Sequence, residues 1–276
     1  MKNLYLPELA LVENIKEETP NIRTLTISLE KGKTLSSLPG QFIELTIFGY
    51  GEFPVSVSDV LGPDRNRFQT TVQRIGKATT ETVNLSAGSK IGIRGPFGNG
   101  FPLNEMQGKN ICIVTGGVGL AAVRHLINYI IENRHLYGIL HLLHGARTPG
   151  DLIYKDFLFN KEKAREHGIE IVLSVDKTDA SWQGNVGPVT ELLKRTEMDP
   201  ASTVAVVCGP GIMMKFTTQC LSNMGLADDQ ILLSMERRMH CGIGMCGHCM
   251  VGEKRVCLDG PIFTYASVKN ALERLF

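Results

Sequence analysis

Hydrophobic and polar residues alternate in several short stretches of the first hundred positions. Gly and Pro interrupt this alternation at short intervals, and the stretches between them are rich in β-branched and aromatic residues. The clearest stretches cover residues 22–29, 40–48, 53–60, 68–75 and 90–98. Short alternating strands at this spacing predict a small antiparallel β-barrel.

The pattern changes near residue 109. Continuously apolar strands at 110–117, 138–147, 169–176, 203–210 and 230–236 are separated by stretches with helical periodicity. This order is typical of βαβ units, in which the strands are parallel and covered on both faces. We expect three domains: a β-barrel at 1–103, an α/β nucleotide-binding domain at 104–232, and a small module at 233–276.

Composition narrows the range of partners. A chain of 276 residues with 43% hydrophobic and 21% charged residues is ordinary for a globular protein. The net charge of +1 offers no basic excess for binding nucleic acid. Pro7 and Glu8 interrupt the start where a signal peptide needs an apolar run, and no run is long enough to span a membrane. We expect a cytoplasmic protein without a membrane span.

Four cysteines lie near the end of the chain in a ligand-like spacing. Cys241, Cys246, Cys249 and Cys257 follow the order C-x4-C-x2-C, with the fourth Cys seven residues further on. This spacing fits a plant-type 2Fe-2S cluster. Glycines at 242, 244 and 247 suit a loop that wraps tightly and aims backbone N–H groups at sulfur.

Other interpretations of these cysteines are a structural zinc site or unligated thiols in the core. A Rieske centre would use His on one iron, and His240 and His248 are close by, but four Cys already complete a ligand set. We expect both His to lie beside the cluster or in solvent. A segment this short seldom buries enough apolar surface to fold without a metal.

A glycine-rich turn follows the first strand of the α/β part. Gly117, Gly119 and Ala122 match G-x-G-x-x-G/A between a strand and a helix, where the backbone can approach a diphosphate. A tight structural turn is the alternative. The acidic residue usual after the next strand is missing, because that strand ends in His144-Gly145-Ala146-Arg147. The domain is therefore not an ordinary Rossmann dehydrogenase.

Further glycine-rich motifs occur at 74–79 (RIGKAT), 94–100 (RGPFGNG) and 208–213 (CGPGIM). With these motifs in this order, the chain resembles the ferredoxin-NADP reductase superfamily over its whole length. The ERRM run at 236–239 and the cysteine segment resemble the branch with a C-terminal 2Fe-2S module. This branch includes gamma (diaphorase) subunits of cytosolic nickel-iron hydrogenases, the B-type subunit of anaerobic sulfite reductase, and the electron-transfer subunit of dihydroorotate dehydrogenase.

The resemblance implies a flavin site on the barrel. The residues implied to lie along the flavin are Pro54, Val55, Ser56, Val57 and Ser58, and those implied to cradle the FAD diphosphate are Gly76, Lys77, Ala78 and Thr79. Phe53 stands where the superfamily often has Arg, so the phosphates need other donors and FMN remains an alternative to FAD.

The resemblance also implies an NAD(P)(H) site on the α/β domain. Cys208 would lie beside the nicotinamide as the catalytic position, although a buried Cys is often only a small hydrophobe. The implied binding residues are Gly116, Gly117, Gly119, Arg147, Asp176, Gly209 and Met213. Arg147 and Asp176 point to different cofactors, which leaves NADH and NADPH both open.

The implied activity is electron transfer: hydride exchange with NAD(P)(H) at FAD, and single electrons through the 2Fe-2S cluster to the catalytic and electron-transfer subunits of a larger redox complex. A soluble nickel-iron hydrogenase is the first candidate complex. Sulfite reductase and dihydroorotate dehydrogenase are alternatives. An alternative of another class is a zinc-binding docking subunit without flavin.

Overall fold

The computed structural model describes residues 3–30 and 32–275. Predicted domain ends at residues 1 and 276 lie outside these ranges. The chain divides into two compact units. One contains Met1–Phe101, Ala121–Leu126 and Met235–Ile262, and the other contains Pro102–Leu120, Ile127–Ser234 and Phe263–Phe276. The cysteine loop therefore belongs to the same unit as the N-terminal strands.

In the first unit, six antiparallel strands close into a barrel in the order β1-β2-β5-β4-β3-β6. The strands are β1 (Glu8–Thr19), β2 (Ile22–Leu29), β3 (Phe42–Ile47), β4 (Gly51–Leu61), β5 (Arg67–Gln73) and β6 (Lys90–Phe97), and helix α1 (Lys77–Val83) follows β5. Along β1, Ala10 and Val12 are buried in the barrel while Leu9 and Leu11 are exposed. Buried and exposed residues thus alternate with the two-residue period of a strand that has one face in the core.

Strand β3 departs from that alternation. Five of its six residues are buried, and Glu44 is among them. The strand pairs with both β4 and β6, and Glu44 lies opposite Arg94 of β6 in the register. A buried carboxylate needs a compensating partner, so this position marks a polar site in the barrel wall.

The second unit is built on a seven-stranded sheet in the order β10-β9-β8-β7-β11-β12-β15. Its strands are β7 (Asn110–Gly116), β8 (Leu140–Ala146), β9 (Ile169–Val175), β10 (Asn185–Val186), β11 (Thr203–Cys208), β12 (Ile231–Ser234) and β15 (Ile262–Thr264). The pairs from β10 through β12 are parallel. Strand β15, from the C-terminal segment, is an addition that the sequence pattern did not predict.

Helices flank these strands. They are α2 (Gly119–Glu132), α3 (Lys155–Leu158), α4 (Lys161–Glu166), α5 (Thr190–Leu193), α6 (Gly211–Asn223) and α8 (Tyr265–Leu275). The segment between β12 and β15 contains a two-stranded sheet of β13 (Met250–Val251) and β14 (Lys254–Arg255), followed by α7 (Val256–Asp259). The antiparallel barrel and the parallel-sheet domain confirm the predicted fold class. The domain boundaries stay predictions.

Candidate functional site: a cysteine loop, a polar support and two nucleotide edges

The cysteine loop wraps its backbone around sulfur. Gly242, Gly244 and Gly247 all have positive φ, at 71°, 78° and 73°, a conformation that only glycine adopts without strain. The Gly244 N–H donates to Cys257 Sγ at 3.1 Å. The loop thus takes the form that its glycine pattern predicted, with N–H groups directed at thiol sulfur.

Cys241 receives two such contacts. The Met245 and Cys246 N–H groups lie 3.3 and 3.4 Å from its Sγ. Burial raises the pKa of the Cys241 thiol, but hydrogen bonds from the backbone of Ile243, Cys246 and Met245 outweigh this effect and lower the pKa to about 7. Since the thiolate is the form that binds metal, these N–H groups prepare Cys241 as a ligand.

Two further cysteines form a close pair. Cys249 Sγ lies 3.3 Å from Cys257 Sγ, and both residues are buried, whereas Cys246 is exposed. Two thiolates on one tetrahedral metal stand about 3.8 Å apart when each metal–sulfur bond is about 2.3 Å. The pair is therefore close to the separation that a shared iron requires.

Among residues 3–30 and 32–275, no three His, Cys, Asp or Glu side chains converge on the position of a single metal ion. A 2Fe-2S cluster has two irons and takes its four cysteines as two pairs, so it does not need a single point of convergence. The donor set of four thiols, the N–H groups aimed at sulfur and the exposed Cys246 fit such a cluster. His240 and His248 stack edge to face at 4.0 Å beside the loop, and both are exposed.

A buried polar group supports the loop from the barrel wall. Arg94 is 5% exposed, and its Nη1 donates at 3.0 Å to the carbonyl oxygens of both Cys241 and Leu4. Its Nε donates to Glu52 Oε2 at 3.0 Å, and its Nη2 donates to Glu52 Oε1. Thr46 Oγ1 also donates to Glu52, at 2.7 Å.

Two glutamates near Arg94, Glu52 and Glu44, differ in protonation. Burial opposes the charge on Glu52, but hydrogen bonds from Arg94 and Thr46 keep its pKa below the usual range. Burial raises the pKa of Glu44 to about 8, and the nearby charge of Glu52 adds to this effect. Glu44 Oε1 is buried without a hydrogen-bond partner. The ionised pair beneath the loop is therefore Arg94 with Glu52.

The predicted flavin strand lies in β4. Phe53, Pro54, Val55 and Ser56 are half-buried, whereas Val57 and Ser58 are fully buried. A half-buried run of this kind leaves a strand face on which a planar ring can lie. Phe53 packs against the barrel core, which explains why an apolar residue is stable at this position.

The predicted diphosphate turn is open to solvent. Gly76 and Lys77 are exposed, and Lys77 Nζ lies 5.8 Å from the centre of the Tyr50 ring. The Thr79 hydroxyl accepts from the N–H groups of Gly76 and Ile75 at 2.8 and 3.0 Å. Thr79 therefore caps the turn. Lys77 is the positively charged residue of this turn.

In the second unit, the predicted nicotinamide residues meet at the carboxyl ends of β7 and β11. Cys208 pairs with Thr115 in the register of these strands. A Cβ built on Gly119 would lie 2.5 Å from the Cys208 carbonyl oxygen, and Cβ atoms on Gly116 and Gly209 would lie 2.7 and 2.6 Å from Met213 Sδ. At Gly119 a Cβ would meet fixed backbone, whereas at Gly116 and Gly209 its nearest neighbour is the Met213 side chain.

Gly117 differs from its neighbours. It has φ +54°, its N–H donates to the Gly145 carbonyl at 2.9 Å, and a Cβ at this position would meet nothing within 4 Å. The space beside Gly117 is open, as a bound diphosphate would require.

Arg147 and Asp176 follow adjacent parallel strands and are both exposed at the same sheet edge. Inside the sheet, His144 Nδ1 bonds Thr115 Oγ1 at 2.9 Å. Burial lowers the pKa of His144 to about 4. His144 is therefore a neutral structural residue.

The structure adds Arg94, Glu52, Glu44 and Tyr50 to the site residues that the sequence predicted. The contacts of Arg94 join residues far apart in sequence, 42 residues from Glu52 and 147 from Cys241. The one available sequence signal was Glu44, a charged residue within the apolar run 42–47.

No helix in the described part of the chain is long and apolar enough to cross a membrane. Comparison with known families matches residues 113–219 to the oxidoreductase NAD-binding domain. Residues 236–269 match the iron-sulfur cluster binding domain of dihydroorotate dehydrogenase B.

Individual relatives cover most of the chain. Sulfhydrogenase 1 subunit gamma of Pyrococcus furiosus is 37% identical over 83% of this chain and 80% of its own length. A protein of Methanocella arvoryzae named "probable dihydroorotate dehydrogenase B (NAD(+)), electron transfer subunit" is 34% identical over 93% of this chain and 90% of its own.

A solved structure of NADH-dependent reduced ferredoxin-NADP oxidoreductase superposes with a TM-score of 0.74 at 25% identity, covering 99% of this chain and 95% of that one. These findings confirm the resemblance found in the sequence. The chain belongs to the NAD-binding, iron-sulfur oxidoreductase family that contains the sulfhydrogenase gamma subunits and the electron transfer subunits of dihydroorotate dehydrogenase B.

Proposed function

We propose that this chain is the electron-transfer subunit of a cytoplasmic redox complex. It exchanges hydride with NAD(P)(H) at FAD and passes single electrons through a 2Fe-2S cluster to a partner enzyme. The observation that carries the proposal is the cysteine loop, where backbone N–H groups point at the sulfurs of Cys241 and Cys257 in the same unit as the barrel. When bound, the flavin accepts electrons in pairs and releases them singly.

The barrel residues bind and orient the flavin. The half-buried face of Pro54, Val55 and Ser56 holds the flavin ring, and Lys77 neutralises diphosphate charge beside Gly76. Tyr50 keeps the Lys77 ammonium at this turn. Cys241, Cys246, Cys249 and Cys257 hold the cluster.

The α/β residues bind the nicotinamide cofactor. Gly117 leaves space for the diphosphate, and Cys208 with Met213 lies where the nicotinamide is bound. Arg147 and Asp176, which follow β8 and β9, bind the adenosine end.

The partner is a hydrogenase of the nickel-iron type, with this chain as its gamma subunit. The similarity to sulfhydrogenase gamma subunits, 37% and 34% identical, supports this choice. A dihydroorotate dehydrogenase is the second candidate, because the cysteine segment matches the iron-sulfur domain of that enzyme's B-type subunits.

The test is an anaerobic purification from the native source, followed by measurement of flavin, iron, zinc and nickel in the material that co-elutes. We expect one flavin and two irons per chain, with nickel in the same fractions. Dihydroorotate oxidation by the co-eluting material would favour the second candidate, and siroheme would point to a sulfite reductase. A colourless protein that holds zinc and no flavin would refute electron transfer.

A further inference from the structure

Arg94 is the only side chain of the described residues shown to join the Cys241 carbonyl to the barrel wall. Its Nη1 bonds that carbonyl and the Leu4 carbonyl at 3.0 Å each. The guanidinium is also 5.6 Å from the Phe97 ring centre. Because Arg94 is buried, these contacts are little weakened by water.

Glu52 fixes the orientation of this guanidinium. It accepts from both Nε and Nη2, and Thr46 holds the carboxylate from the next strand. A bidentate pair of this kind sets the plane of the arginine as well as its position. The remaining nitrogen, Nη1, is thereby aimed at the loop.

The loop also lies close against the wall. A Cβ built on Gly242 would stand 3.1 Å from Glu44 Cγ and 3.3 Å from Phe97 Cδ2. The Cys241–Gly242 backbone therefore lies on a preformed surface, with a cation directed at the carbonyl of a predicted cluster ligand.

We propose that Arg94, oriented by Glu52, is a positioning residue of the iron-sulfur centre that holds the Cys241 backbone and shifts the reduction potential of the cluster. This inference rests on the proposed function, since it requires a cluster on the four cysteines. Net charge and hydrogen bonds near an iron-sulfur cluster set its potential. Reduction adds negative charge, so the Arg94 cation favours the reduced cluster and the Glu52 anion opposes it.

The charges predict shifts of opposite sign for two substitutions. Arg94→Gln removes the cation and should lower the reduction potential. The expected change is about tenfold in the equilibrium constant for reduction, which corresponds to about 59 mV for one electron. Glu52→Gln removes the anion, keeps an acceptor for Arg94 and raises the potential. Arg94→Lys keeps the charge but cannot span both carbonyls and the carboxylate. Its potential stays near that of the unsubstituted protein, while iron is lost to a chelator several-fold faster.

The experiment is an EPR-monitored redox titration of the full chain at fixed pH, with iron release to a chelator as a second readout. Arg67→Gln is the matched control, because it removes an arginine–glutamate pair, Arg67 with Glu13, from the barrel surface. It should change neither readout. A general loosening of the barrel would shift both Arg94→Gln and Glu52→Gln in the same direction.

Opposite shifts support the proposal, and equal potentials or shifts of one sign overturn it. If Arg94→Gln retains no cluster, Glu52→Gln decides alone: a rise supports the proposal, and no change or a fall overturns it. If the unsubstituted chain carries flavin and iron but the variants have unchanged reduction potentials, only this inference is refuted. An unsubstituted chain without a 2Fe-2S signal refutes the proposed function itself.

Discussion

Gly242 lies directly against the Glu44 side chain, with 3.1 Å between an added Cβ and both Cγ and Oε1 of Glu44. Glu44 is 1% exposed and belongs to a strand that pairs on both sides, so it has no free space into which to move. The cysteine loop and the barrel wall are thus in contact, and a methyl group on Gly242 fits only if Glu44 and Phe97 shift by a few tenths of an ångström.

Gly242→Ala should therefore displace the loop and weaken cluster retention. It adds the cost of a positive φ, about 1–3 kcal/mol, to the collision with Glu44 and Phe97. Gly247→Ala is the control, because it has nearly the same φ but nothing within 4 Å. Iron per chain after purification should fall clearly for Gly242→Ala and only slightly for Gly247→Ala. Equal losses would mean that φ alone matters.

Cys246→Ser should abolish electron transfer through the cluster without affecting flavin reduction by NAD(P)H. Cys246 is the exposed member of the cysteine set, so its substitution disturbs packing least. Cluster absorbance and electron delivery to the partner should disappear, while reduction of bound flavin by NAD(P)H continues. Anaerobic spectra with each acceptor measure both steps. Cys220→Ser, on α6, should leave both steps intact, and loss of both in Cys246→Ser would contradict separate roles.

The sequence predicted the strands and the cysteine loop, because these depend on residues that are close together in the chain. The β-rich stretches at 22–29 and 68–75 became β2 and β5 of the barrel, and the apolar runs of β7 and β11 reflect burial on both faces. Cysteine spacing predicted the loop because the ligands of one cluster lie close together in sequence.

The polar support could not be predicted in the same way. Arg94 and Cys241 are 147 residues apart, and Arg94 and Glu52 are 42 apart. Arg94 and Glu52 meet because the strand order places only β3 between β4 and β6, and the Cys241 contact depends on where the loop after β12 folds back onto the barrel. In the sequence, Arg94 belongs only to a glycine-rich turn motif. The available signal was Glu44, a charged residue within the apolar run 42–47, and it does not identify its partners.

Two substitutions in one turn should distinguish space kept for a cofactor from space filled by protein. Gly117→Ala places a methyl group in open space at positive φ, so it should cost about 1 kcal/mol of unfolding free energy and raise the KM for NAD(P)H. Gly119→Ala would collide with the Cys208 carbonyl at 2.5 Å, so its main effect should be on stability. Urea unfolding and steady-state diaphorase kinetics measure the two effects. A Gly117→Ala variant with an unchanged KM for both NADH and NADPH would place the diphosphate elsewhere.

The buried neutral His144 should make the protein less stable in mild acid. Burial lowers its pKa from 6.5 to about 4, so the unfolded chain binds a proton more readily than the folded one. The stability associated with neutral His144 is fully present above pH 6.5 and is lost as the pH falls towards 4. At pH 5 the loss relative to pH 7 is about 2 kcal/mol.

His144→Asn keeps a hydrogen-bonding side chain for Thr115 but does not titrate, so its unfolding free energy should fall less between pH 7 and pH 5. His167→Asn, at the half-buried C-cap of α4, is the control and should retain the steep dependence. Urea titrations of the cluster-free chain at the two pH values measure the difference, which avoids acid loss of iron. An equal fall in unfolding free energy for all three proteins would show that His144 binds a proton equally well in the folded and the unfolded chain.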